Sequence, residues 1–131
     1  MRLVVDTNRV IASLIKNSFS RKIIFSQNLE LITPDYTITE IDKYRGEIIK
    51  KSGINNKEFK ILMLIILNKI KIIPKNEYEE FIEEAKKLIK DLHDIPFVAL
   101  ALAFNCDIWS DDRDFLSQKN IKIWRTKDFI K

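Results

Sequence analysis

Residues 93–115 run HDIPFVALALAFNCDIWSDDRDF, and this stretch decides the fold. Asp94 is followed by Pro96, which suits a first helical turn, and then by small and apolar residues. A buried helix is therefore expected over Pro96 to Asn105, opening at Asp94. Asp107-Ile108-Trp109-Ser110 leads into a short strand, and Asp111, Asp112 and Asp114 make an acidic turn just past it. A buried helix feeding a short apolar strand is one unit of a parallel α/β sheet.

The rest of the chain repeats that unit. Leu3-Val4-Val5 is a buried strand ending at Asp6, and short helices follow over Val10 to Lys16 and Ser20 to Gln27. Leu29 to Ile32 is a second strand. Thr33-Pro34 breaks the chain, and a helix runs from there to about Lys51, stopped by Gly53 just past its end. A further helix is expected from about Asn56 to Asn68. It is apolar around its whole circumference from Ile61 to Leu67, so it is buried on more than one side, in the core or against a second subunit. Ile70 to Ile73 is a strand ended by Pro74, Glu77 to Lys90 an amphipathic helix, Ile121 to Trp124 a last strand, and Thr126 to Ile130 a helical turn. No repeat or linker interrupts the pattern.

The chain has 131 residues, enough for one domain over 1–131 and too few for two. With 46% hydrophobic and 32% charged residues it is globular in composition, which excludes intrinsic disorder. One cysteine, Cys106, allows neither an internal disulfide nor a thiolate metal site, so a reducing cytoplasmic setting is expected. No apolar run approaches the roughly 20 residues of a membrane span, and the N-terminus lacks a signal-peptide pattern. A net charge of +4 suits a phosphate-bearing partner, and Lys43, Arg45, Lys50 and Lys51 could flank a nucleic-acid groove or simply be solvated. Trp109 and Trp124 sit in strands and are expected in the core.

Ligands of an open parallel sheet gather outside the carboxyl ends of its strands. Asp6 ends the first strand and Asp112 lies just past another, so both fall on that edge; Asp94 opens a helix there, and Glu40 lies in the helix after the second strand. Clustered carboxylates repel in a low-dielectric cleft unless a cation offsets them, and oxygen donors select Mg²⁺ or Mn²⁺. Each acid also has a structural reading. Thr37-x-x-Glu40 fits a helix capping box, Asp94 fits a simple N-cap, and Asp111, Asp112 and Asp114 fit turn residues around Ser110. Asp6, closing a buried strand, favours function.

Asp6-Thr7-Asn8 after an apolar strand, an acid at Glu40, Asp94-x-x-Phe97-x-Ala99-Leu100-Ala101, and Trp109-Ser110-x-Asp112-x-Asp114-Phe115 together resemble the PIN-domain family from Leu3 to Ile130. The resemblance implies a three-layer α/β/α fold with a central parallel sheet of four or five strands. It implies a ribonuclease dependent on Mg²⁺ or Mn²⁺, and in many small members the toxin of a toxin–antitoxin pair (VapC-like), with an antitoxin as partner. Carried over by position, Asp6, Glu40, Asp94 and Asp112 are the catalytic acids, with Asp6, Asp94 and Asp112 on the metal. Asn8 and Ser110 orient the carboxylates, and Asp91 and Asp114 are outer acids. RNA would be hydrolysed to a 5′-phosphate and a 3′-hydroxyl. Apart from the resemblance, the apolar helix Ile61 to Leu67 suggests a homodimer interface, although an intramolecular core would give the same pattern. Arg9 departs from the aliphatic residue common after Asp-Thr-Asn, and His93 stands where an additional acid is common.

Two rivals remain. A catalytically inactive PIN-fold module that binds RNA or a partner would tend to lack acids, yet all four are present. A phosphotransfer domain with Asp6 as nucleophile wants a further acid nearby; the phosphatase version needs it at position 8, where this chain has Asn8.

Overall fold

The computed structural model describes residues 1–16 and 18–130. Among these, five strands make one sheet: β1 (Arg2–Val5), β2 (Glu30–Pro34), β3 (Ile70–Ile73), β4 (Asp107–Trp109) and β5 (Ile123–Trp124). All neighbours pair in parallel, in the order β3-β2-β1-β4-β5. The helices are α1 (Thr7–Ile15), α2 (Phe19–Ile24), α3 (Tyr36–Lys43), α4 (Arg45–Ser52), α5 (Asn56–Leu67), α6 (Ile82–Leu88) and α7 (Ile95–Phe104). The three-layer α/β/α architecture expected from the sequence is what forms.

The period-2 alternation of strand side chains separates two cores. Val4, Ile32, Ile73 and Ile108 point to the face covered by α6 and α7. Leu3, Val5, Leu31, Ile70 and Trp109 point to the face covered by α1 through α5. Both faces are covered along β1 and most of β2 and β4, so these strands are largely apolar runs; Lys71 on the edge strand β3 is exposed. Val98, Ala99 and Leu100 of α7 are wholly buried, and each large side chain so placed stabilises the fold by roughly 1.5–3 kcal/mol. The helix ends at Asn105, which takes the left-handed conformation (φ 50°) that Asn tolerates better than most residues.

Several boundaries differ from expectation. The segment after Pro34 is two helices, broken at Tyr44, although Gly53 does stop the second in the left-handed conformation (φ 73°). Pro34 extends β2 because it sits at the strand end, where a missing N–H costs one ladder bond at most. The expected helix from Glu77 begins as two 3₁₀ turns, Lys75–Glu77 and Glu79–Phe81, before α6 proper. Helix α5 buries Phe59 and Ile66 but leaves Ile61, Leu64 and Ile65 exposed, so it is not enclosed by the core on all sides. Among the described residues no helix is long and apolar enough to cross a membrane.

The strand order places the functional edge. The chain winds from β1 outward through β2 and β3, then returns to the other side of β1 with β4. Loops leaving β1 and β4 therefore diverge and open a crevice between them. Asp6 follows β1 and Ser110–Asp112 follow β4, so both loops deliver their acids to this crevice.

Candidate metal centre

Asp6 is the N-cap of α1. Its Oδ1 accepts from the backbone N–H of Arg9 at 3.1 Å, and its Oδ2 accepts a very short hydrogen bond from Ser110 Oγ. Ser110 Oγ in turn accepts from the N–H of Asp112 at 3.0 Å, tying the β4 loop to the β1 acid. Asp6 is buried, and desolvation raises its pKa despite the Ser110 and Arg9 hydrogen bonds that oppose the rise.

Glu40 reaches the crevice from α3. The capping box expected with Thr37 does not form: α3 begins one residue before Thr37, at Tyr36, and the Thr37 hydroxyl is spent on Thr33 at 2.6 Å. Glu40 Oε1 instead accepts from Thr7 Oγ1 at 2.5 Å, which fixes the carboxylate toward Asp6. Thr7 is a positioning residue that the sequence reading did not single out, although it is the middle residue of Asp6-Thr7-Asn8.

Asp94 stands at the start of α7 but makes no side-chain capping bond. Its Oδ2 is buried with no hydrogen-bond partner among the described residues. Burial, reinforced by the charges of Asp91, Asp112, Asp114 and Asp6, pushes its pKa up to about 7. A buried carboxylate oxygen left unpaired costs about 1–3 kcal/mol or more, so its retention calls for a missing partner. A divalent cation fits this unpartnered oxygen and its acidic neighbours in charge and donor type.

These residues share one cavity of about 140 Å³, lined by Asp6, Thr7, Asn8, Glu40, Asp91, His93, Asp94, Phe97, Asp112 and Phe115. All four expected acids and Asn8 meet there; Ser110 lies beneath it, wholly buried. The tightest grouping is a different set. Carboxylate oxygens of Asp91, Asp94 and Asp114 lie within 4.8 Å of one another and could hold a metal ion. Asp91 and Asp114, expected as outer acids, thus join Asp94 in a cluster that could take an ion. Asp112 also serves the turn, since its Oδ1 accepts from the N–H of Asp114 at 2.9 Å.

The two departures behave differently. The Arg9 guanidinium does not enter the cavity but pairs with Asp111 at 2.9 Å, and its Nη1 also donates to Ser20 Oγ at 3.2 Å. Asp111 accepts the N–H and hydroxyl of Thr126, each at 2.7 Å; these bonds and Arg9 outweigh its burial and hold its pKa below the usual carboxylate range. His93 is at the rim, largely exposed, with Nδ1 bonded to the Tyr36 hydroxyl and 3.9 Å from Glu40 Oε2. Trp109 is fully buried and Trp124 packs on Phe129, as core residues.

A fold match joins this geometry. A chain of VapBC2 from Rickettsia felis, solved bound to a DNA fragment from their promoter, superposes with a TM-score of 0.68 at 18% identity, covering 95% of this chain and 98% of that one. No curated protein sequence matches at a significant level. The PIN domain profile matches residues 4–129, a span that holds every acid of the cavity. This chain belongs to the PIN-domain family.

Proposed function

We propose that the chain, as a single nuclease domain, is a divalent-metal-dependent endoribonuclease that acts in the cytoplasm as the toxin of a toxin–antitoxin pair. The observation that carries the reading is the unpartnered, buried Oδ2 of Asp94 facing carboxylates from three other stretches of chain. Family membership supports nuclease chemistry, and the VapBC2 fold match supports the toxin assignment and an antitoxin partner.

In this reading Asp6, Asp94 and Asp112 hold Mg²⁺ or Mn²⁺, with Asp91 and Asp114 adding charge beside them. The bound ion lowers the pKa of water and offsets charge developing on the scissile phosphate. Ser110 and the α1 N-terminus orient Asp6 and oppose the rise that burial imposes on its pKa; Thr7 holds one Glu40 oxygen so that the other can take a proton from the attacking water. Water oxygen bonds to phosphorus as the bond to the 3′-oxygen breaks. The products are a 5′-phosphate and, after protonation by solvent, a 3′-hydroxyl.

The test is cleavage of a labelled single-stranded RNA by purified protein with Mn²⁺, compared with Asp6→Asn. Loss of cutting in the variant with an unchanged circular-dichroism spectrum is the expected result. Equal cutting by both would end the assignment, and a wild type that binds Mn²⁺ but cuts nothing would favour the inactive-module reading.

A further inference from the structure

The acid cavity opens to solvent at the carboxyl edge of the sheet. A substrate strand brings phosphates to its mouth, where five aspartates and glutamates of the lining repel them. A bound cation offsets part of that repulsion at the scissile phosphate, and a basic surface beside the cavity would offset it for the flanking phosphates. One groove adjoins the cavity at Asp91 and is lined by Lys86, Lys87, Lys90, Asp114 and Ser117. Asp91 lines both spaces, and Asp114 belongs to both the groove and the tight acid cluster.

We propose that this groove carries the phosphodiester backbone of a single-stranded nucleic acid on one side of the scissile bond, with Lys87 and Lys90 as its phosphate contacts. The proposal rests on the nuclease reading above and names where its substrate lies. All three lysines are exposed. Lys86 pairs with Glu83 at 3.0 Å, whereas neither Lys87 nor Lys90 has an ion pair among the described residues. Two ammonium groups are therefore left available beside the site where an anion must be drawn in. Lys86 and Lys87 also lie in the last turn of α6, where cations complement the helix dipole. Lys90 lies beyond the helix, so that explanation does not cover it. The basic residues singled out in the sequence are elsewhere engaged: Lys43 over the Tyr44 ring, Arg45 over the Phe59 ring, and Lys51 with Glu47. Neither they nor Lys50 line the cavity or this groove.

The experiment measures binding of a fluorescein-labelled single-stranded RNA to the full chain by anisotropy, with EDTA present to prevent turnover, across a salt series. Steady-state cleavage with Mn²⁺ runs in parallel. Lys87→Gln and Lys90→Gln should each weaken binding about fivefold at about 0.1 M salt, and together lower the log–log salt slope by about 1.4. In cleavage they should raise KM and leave kcat unchanged. The Lys87→Arg/Lys90→Arg pair should restore binding, and Lys50→Gln/Lys51→Gln should match wild type. A Lys87→Gln/Lys90→Gln double variant with wild-type affinity and slope overturns the groove, as does a wild type that binds no RNA. If wild type cuts RNA while the groove variants change nothing, the groove fails and the nuclease reading stands. If the variants weaken binding but wild type cuts nothing, the nuclease reading fails and the groove stands.

Discussion

Two acidic regions share the carboxyl edge of the sheet and differ in one respect. Around Asp111 the chain supplies its own compensation: the Arg9 guanidinium and both donors of Thr126. Around Asp94 the described residues supply no partner for Oδ2, and four further aspartates add negative charge. The first carboxyl is held below its usual range and the second is pushed up to about 7. An acid whose partners are built in serves the structure; an acid buried without one has the chemistry to take a proton or a cation from outside.

The largest expected effect separates the two regions by activity. Asp94→Asn should lower kcat for RNA by on the order of 10³-fold or more. Asp111→Asn should keep most of the activity of the folded protein, read in the same assay at a temperature where both are native. Stability should move the opposite way. Asp111→Asn strips a half-buried ion pair and should cost about 1–3 kcal/mol by urea denaturation, whereas Asp94→Asn removes an uncompensated charge and should raise the stability of metal-free protein at pH 8.

The pH dependence follows from the same contrast. Asp94 has a raised folded pKa, so the unfolded chain releases this proton more readily than the native one. Its contribution to stability is complete below the unfolded value near 4 and is lost as pH rises through about 7. Metal-free protein should therefore lose melting temperature across that window, and Asp94→Asn should flatten the loss. Asp111, with a lowered pKa, contributes in the other sense, losing its stabilisation as pH falls through its folded value. A smaller effect is expected at Ser110→Ala, which leaves Asp6 ionisable but less firmly oriented; about 10–100-fold in metal affinity or activity is the scale of such losses.

Much of this was legible in the chain. Residues 93–115 supplied a helix, a strand and the acidic turn in the right order, because α7 is apolar enough to be buried wherever it packs. The run Ile61 to Leu67 of α5 is also wholly apolar, yet Ile61, Leu64 and Ile65 remain exposed. Composition tells that a helix is apolar, not what covers it, and the exposed stripe keeps the homodimer expected from the sequence as a proposal. We propose that Leu64→Glu lowers the association state by light scattering while changing the stability of the isolated chain by less than about 0.5 kcal/mol.

At the site, Asp6 was legible because an acid closing a buried strand has few structural uses. Glu40 was not separable from a cap until α3 proved to start before Thr37. The tight grouping of Asp91 and Asp114 with Asp94 was out of reach, since it depends on how the turn after β4 folds back toward α7. Thr7 and the Arg9–Asp111–Thr126 network depend on contacts across 15 to 117 positions of chain, which no local pattern encodes.

The most direct measurement is calorimetric titration of the metal-free protein with Mn²⁺ at pH 8, beside Asp94→Asn and Asp111→Asn. Wild type and Asp111→Asn should bind the ion, and Asp94→Asn should lose most of the binding. Undiminished binding by Asp94→Asn, or none by wild type, would contradict the proposal that this pocket binds a divalent cation through Asp94.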